Sequence, residues 1–165
     1  MIKLTGKQIE EYLHRCYTAV DGLWFMKLED KFGFETALEI DDEVWKIMPK
    51  VQARMLKSMG NAGNGIDGMC ECIETKLDLD GFKFTIKKHD SGQSFSIIIS
   101  ECPWYTIMKK SKREHLAGKV GNSICNSEYS AWTREFEGDL NFDIQERICE
   151  GSSRCIIRIY RNESS

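Results

Sequence analysis

A chain of 165 residues is long enough for one domain with its own core. Its formal net charge of −3, with lysines and arginines scattered among acids, argues against nucleic acid as the main partner. No stretch approaches the roughly eighteen apolar residues of a membrane span, and the opening Met1-Ile2-Lys3-Leu4-Thr5-Gly6-Lys7 lacks a signal peptide's apolar run, so a cytoplasmic protein is expected.

Residues 5–28 read as a helix with Thr5 as N-cap. Ile9, Leu13, Cys16, Tyr17 and Val20 recur at helical spacing, and Trp24, Phe25 and Leu28 continue that face. After a break at residues 31–34, a second helix is expected over residues 35–58. Its buried stripe would be Ala37, Ile40, Val44, Ile47, Met48, Val51 and Met55, with a kink at Pro49. Residues 60–65 hold three glycines and two asparagines and form a hinge. A third helix over 66–77 buries Met69, Ile73 and Leu77.

The pattern then changes period. Phe82-Lys83-Phe84-Thr85-Ile86-Lys87 alternates as a strand with one wet face, His89-Asp90-Ser91-Gly92 supplies a turn, and residues 95–99 return. Short helices are expected at 104–110, after Pro103, and at 114–124 and 127–136. The last presents Tyr129, Trp132 and Phe136 together and is closed by Gly138-Asp139. Residues 141–148 and 155–160 make a second hairpin. The order predicts an α+β fold, a four-stranded antiparallel sheet covered by helices. It is read as a single domain over 1–165, with N-terminal helices in 1–80 and the sheet-containing core in 81–165.

Seven cysteines stand at 16, 70, 72, 102, 125, 149 and 155. An odd, high count in a reducing compartment favours thiols and metal ligation over disulfides. Cys125, Glu146, Cys149 and Cys155 have the make-up of a zinc site: a carboxylate, a thiol three residues on, and another across a Gly/Ser turn. Four protein ligands would close the site and make it structural, with Arg147 or Arg154 offsetting the excess negative charge. Ordinary buried thiols, or a Cys149–Cys155 disulfide, remain the alternatives. Three further patterns carry no chemistry. Gly60-x-x-Gly63-x-Gly65 lacks the following Lys-Ser/Thr of a phosphate loop, and Asp78-x-Asp80-Gly81 lacks the other oxygens of a calcium loop. Cys70-x-Cys72 cannot place both thiols on one helix face. The sequon Asn162-Glu163-Ser164 is read as chance.

With Cys125, Glu146-x-x-Cys149, a short glycine-containing turn and Cys155 before a β-run, the chain resembles the 4-vinyl-reductase-type domain, the sensor module of phenol-responsive activators. The resemblance implies zinc on those four residues, a TRAPP-like helix-covered sheet, a small aromatic or hydrophobic ligand, and a homodimer whose surface the apolar N-terminal helices would supply. In those sensors a tryptophan upstream of the first zinc cysteine donates its indole N–H to the ligand hydroxyl, with a histidine as co-partner. Trp104 matches the tryptophan; the upstream hairpin offers only His89, which reads as a turn residue. Tyr129 and Trp132 would line the same pocket, or else belong to the core.

Asp21-Gly22-x-Trp24-Phe25 and Cys102-Pro103-Trp104 also resemble an uncharacterised family related to aminothiazoline-carboxylate hydrolases, which implies an enzyme as the alternative. Cys102 would then be its nucleophile, since a helix N-terminus lowers a thiol's pKa. His115 or Glu128 would be the base. The plainer readings are a buried thiol, a surface histidine and a carboxylate favouring a helix N-terminus.

Overall fold

The computed structural model describes residues 1–89, 92–137 and 139–162. Asp90 and Ser91 of the expected turn, Gly138 as helix terminator, and Glu163 and Ser164 of the sequon lie outside them. The chain forms two compact units, Met1–Glu43 and Val44–Ser165.

In the first unit, helix α1 (Gly6–Phe32) begins as expected at Thr5. The Thr5 Oγ1 accepts the Gln8 N–H at 3.3 Å and Gln8 Oε1 accepts the Thr5 N–H at 2.9 Å, which satisfies two of the helix's free donors. Asp21-Gly22 does not interrupt it, and it runs to Gly33, whose φ of +84° ends it. No residue of α1 is buried. Ile9, Leu13, Val20 and Trp24 are all exposed. Helical spacing says which side chains share a face, not whether anything covers that face. Helix α2 (Phe34–Trp45) follows, with the Phe25 and Phe34 rings edge to face at 5.8 Å.

The second unit opens with α3 (Met48–Gly60) and α4 (Gly65–Leu79), so these helices belong with the sheet. The single helix expected over 35–58 is thus two helices. Pro49 does not kink a helix but lies in the first turn of α3, where its missing N–H goes unneeded. The break at Lys46-Ile47 resets the helical phase. Pro49 and Ala53 are buried, whereas Ile40, Val44, Ile47, Val51 and Met55 of the expected stripe are exposed. The small face lets α3 lie close on α4 and α6. Helix α4 buries Met69, Ile73 and Leu77 as expected, and encloses Cys70 and Cys72 as well.

Strands β1 (Lys83–Lys88), β2 (Ser94–Glu101), β3 (Leu140–Glu146) and β4 (Cys155–Arg161) form one antiparallel sheet in the order β1-β2-β4-β3. The fold class is α+β, as the sequence order implies. Register puts Phe84 opposite Ile99, Ile86 opposite Ile97, Phe95 opposite Ile159 and Phe142 opposite Ile159 on one face. Phe95, Ile97, Ile99, Ile157 and Ile159 there join Trp132, Phe136 and Met69 from the helices in one core. Each such side chain contributes roughly 1.5–3 kcal/mol when fully buried.

Helix α5 (Pro103–Lys110) and a 3-10 turn (Glu114–Leu116) lead into α6 (Ala117–Glu135). α6 is a single helix where two were expected. Cys125 therefore lies within a helix, not ahead of one. Tyr129, Trp132 and Phe136 are buried together as expected.

Two β-bulges alter the alternation. Phe84 pairs with Ile99 but Lys83 pairs with Glu101, so Ser100 is the extra residue. Ile144 pairs with Ile157 but Glu146 with Ile156, so Gln145 is extra. Past each bulge, the side chains exchange faces.

Candidate metal centre

Three cysteines named from the sequence come from three elements that meet at one corner of the second unit. Cys155 opens β4 opposite the buried Ile99, and so points to the helix-covered face. Cys149 lies in the 3-10 turn Ile148–Glu150, which packs on α6. Its sulfur sits so close to the bare backbone of Gly121 that a Cβ there would be 2.6 Å away, and its carbonyl oxygen would be 3.3 Å from a Cβ on Gly118. Cys125 is one turn beyond Gly121 on α6 and packs, like Cys155, against the main core. Glycine at 118 and 121 is what admits the turn to the helix. The Ile148 N–H donates to Cys155 Sγ at 3.2 Å.

The thiols' electrostatics follow from this neighbourhood. Burial pushes the Cys125 thiol far up, and the charges of Glu128, Cys102 and Cys149 add to it while Arg147 opposes it. Cys149 is raised by burial first and by Cys155 next. Burial also raises Cys155, against the pull of the Ile148 N–H and of Arg147. Arg147 is thus the cation beside all three thiols, and its guanidinium donates to Gly121 O at 3.4 Å and Asn126 Oδ1 at 3.1 Å. At neutral pH these groups are protonated thiols unless a cation takes the protons' place.

Glu146 does not join them. The bulge at Gln145 sets it opposite Ile156, on the other face from Cys155. There its carboxylate accepts from Arg154 Nε at 3.2 Å and Nη2 at 3.4 Å. Arg154 is therefore engaged with Glu146, not with the thiols. All seven cysteines are free, so Cys149 and Cys155 are not a disulfide. Among the described residues no three His, Cys, Asp or Glu side chains converge closely enough to hold an ion. The sulfur donors fit zinc in kind, and Glu146 does not fit it in position.

The catalytic candidates lie apart in role. Cys102 caps the start of α5, where the N–H groups of Tyr105 and Trp104 favour its anion without making a full N-cap bond. Burial outweighs them and lifts the thiol to about 11. The helix N-terminus therefore does not yield the lowered pKa expected from sequence. His115 is exposed in the 3-10 turn. Glu128 is buried, and one of its oxygens accepts a short hydrogen bond from Lys76.

That lysine escaped the sequence reading. Lys76 is 3% exposed, lies 3.2 Å from Asp80 Oδ2 as well as against Glu128, and stands over the Phe82 ring. Burial alone would lower its pKa, but Glu128 and then Asp80 more than reverse this and hold it raised. The available signal was a lysine on the apolar stripe of Met69, Ile73 and Leu77.

Of the ligand candidates, Tyr129 is buried with its ring 6.0 Å from Phe142. Trp132 is fully buried and stacks on Phe136 at 6.0 Å, and its Nε1 has no hydrogen-bond partner among the described residues. Trp104 meets Trp45 edge to face at 5.8 Å. Tyr129 and Trp132 therefore lie in the core beside the sheet, and Trp104 packs on Trp45.

No helix among the described residues is long and apolar enough to cross a membrane. A protein-family model described as a family of unknown function (DUF6125) matches residues 7–150, most of the chain. No curated protein matches it.

Proposed function

We propose, proceeding from a chain that belongs to the DUF6125 family of unknown function, a cytoplasmic zinc-containing domain that binds a small aromatic or hydrophobic molecule. The observation that carries the proposal is that α6, the 3-10 turn and β4 bring Cys125, Cys149 and Cys155 to one corner, short of the convergence that would itself hold an ion. Half-buried thiols from distant positions, beside the Arg147 guanidinium, are donors suited in kind to a structural metal ion. Zinc would tie the last two strands to α6. The resemblance to 4-vinyl-reductase-type sensors points the same way, and with it a TRAPP-like arrangement of helices on sheet.

For the ligand, support comes from the Trp132 indole. A buried donor with no acceptor costs roughly 1–3 kcal/mol, and the oxygen of a bound molecule would satisfy it. Trp104, by the same resemblance, would supply a second indole. A sensor of this kind passes its signal to a partner protein. The homodimer rests on α1, whose exposed Ile9, Leu13, Val20 and Leu23 fall at the 4-7-3 spacing of a coiled-coil seam.

Native mass spectrometry of freshly purified protein tests the metal claim. One zinc per chain is the expected result. A stoichiometric Cys149–Cys155 disulfide with no metal would overturn it. Titration with phenol, followed by tryptophan fluorescence, tests the ligand claim. A saturable change that Trp104→Phe or Trp132→Phe abolishes supports it, and no response to phenol or indole would refute it.

A further inference from the structure

Helices α3, α4 and α6 cover the sheet on the side of Phe95, Ile97 and Ile99. On the opposite face, register sets Lys87, Ser96, Arg158 and Asp143 in one row across β1, β2, β4 and β3. Neighbouring strands lie about 4.8 Å apart, so the stems of the lysine and the arginine stand roughly 9–10 Å apart with the short serine between them. Ser96 and its neighbour Ser94 are buried, forming a low floor between longer side chains.

Two further side chains lean over that floor. His89 prolongs β1, its N–H donating to Ser94 O at 3.0 Å, and its ring turns back so that Nε2 lies 3.0 Å from Ser96 Oγ. Tyr160 stands opposite Ser94, and the Arg158 guanidinium lies 5.7 Å over its ring. Other cations of this face are already engaged, Lys83 with Glu101 at 2.7 Å and Arg154 with Glu146 at 3.2 Å. Among the described residues, Lys87 and Arg158 have no carboxylate within salt-bridge reach, Asp143 included.

We propose that this row binds a small phosphate monoester. Lys87 and Arg158 would flank the phosphoryl group, and the Ser96 hydroxyl and the His89 imidazole would meet it from beneath. A dianion seated there touches two cations at once, one of them a guanidinium whose fork matches two phosphoryl oxygens. The charge of Asp143 lies one strand farther out, beyond Arg158. In the next row Ile98 and Ile156, opposite one another and half-buried, offer apolar surface to the ester's organic group. This face is turned away from the thiols and from Trp132, so the proposal stands apart from the zinc reading.

Titration of the unmodified full chain with phenyl phosphate, by calorimetry and by NMR of the imidazoles at roughly 0.15 M ionic strength, tests it. One saturable site per chain is expected, tighter than for inorganic phosphate, with the His89 signals moving as it fills. Lys87→Gln and Arg158→Gln should each weaken binding by about tenfold, the scale of one hydrogen bond to a charged group. Lys83→Gln, which removes a cation of the same face that Glu101 already holds, should leave it unchanged. No saturable binding of either phosphate by either readout overturns the proposal, as do equal losses from Lys83→Gln and Lys87→Gln. Binding of a single-stranded oligonucleotide with none of phenyl phosphate overturns it as well and makes this face a nucleic-acid surface.

Discussion

Gly121 shows how much one missing methyl group decides. In a free helix, glycine to alanine stabilises by about 1 kcal/mol. Here the new Cβ would lie 2.6 Å from Cys149 Sγ, and the packed turn has to move. Gly121→Ala is expected to destabilise by roughly 1–3 kcal/mol, measured by urea unfolding. A gain in stability would mean that the turn does not press on α6. The thiols differ as sharply. Burial lifts Cys70 to about 11, so at pH 8 only about one part in a thousand is thiolate. The sign is simple: a raised thiol pKa means that reactivity grows with pH and stays low below it. Iodoacetamide at pH 8 should modify the exposed Cys16 first and leave Cys70 untouched until unfolding, as read by peptide mass mapping. At this scale the sequence spacing foresaw that Cys149 and Cys155 would neighbour each other across the last hairpin, but not that Cys125 would sit inside a helix. That Glu146 turns away to Arg154 was not legible, because a one-residue bulge leaves no mark in an alternating pattern yet reverses every direction beyond it.

Between elements, the Lys76 ion group joins α4 to α6 inside the core. Removing one partner of a buried pair strands the other's charge, whereas removing both can be nearly neutral. Lys76→Met should therefore cost about 3–5 kcal/mol in urea unfolding, and Lys76→Met with Glu128→Leu should regain a large part of it. Equal losses in the single and double variants would show that the pair is not coupled. Sequence periodicity found α4, both hairpins and α5 because their apolar spacing agrees with what covers them. It failed over residues 35–58, where Pro49 starts a helix and resets the phase, so that Ala53 is buried and Val51 is not. It split α6 at Cys125, where small and polar residues resemble a break but still satisfy the helix.

For the molecule as a whole, α1 carries an apolar row of Ile9, Leu13, Val20 and Leu23 that is exposed. Twenty-seven helical residues with none buried suit a helix paired with another of its kind. Light scattering of the purified chain should report a dimer, and Leu13→Glu with Val20→Glu should yield a folded monomer. A monomeric unmodified protein would remove the homodimer. The α+β class was legible at this scale because the order of helical and alternating segments is enough to define it.

The order of the strands also has a consequence for synthesis. The last strand, β4, lies between β2 and β3, so neither inner edge is filled until residue 161 has been made. During translation, at roughly 5–20 residues per second, the first hairpin leaves the ribosome with Phe95, Ile97 and Ile99 facing no partner strand on one side. The nascent chain therefore presents a sticky, half-built sheet for several seconds, and this interval is when a chaperone would be needed most.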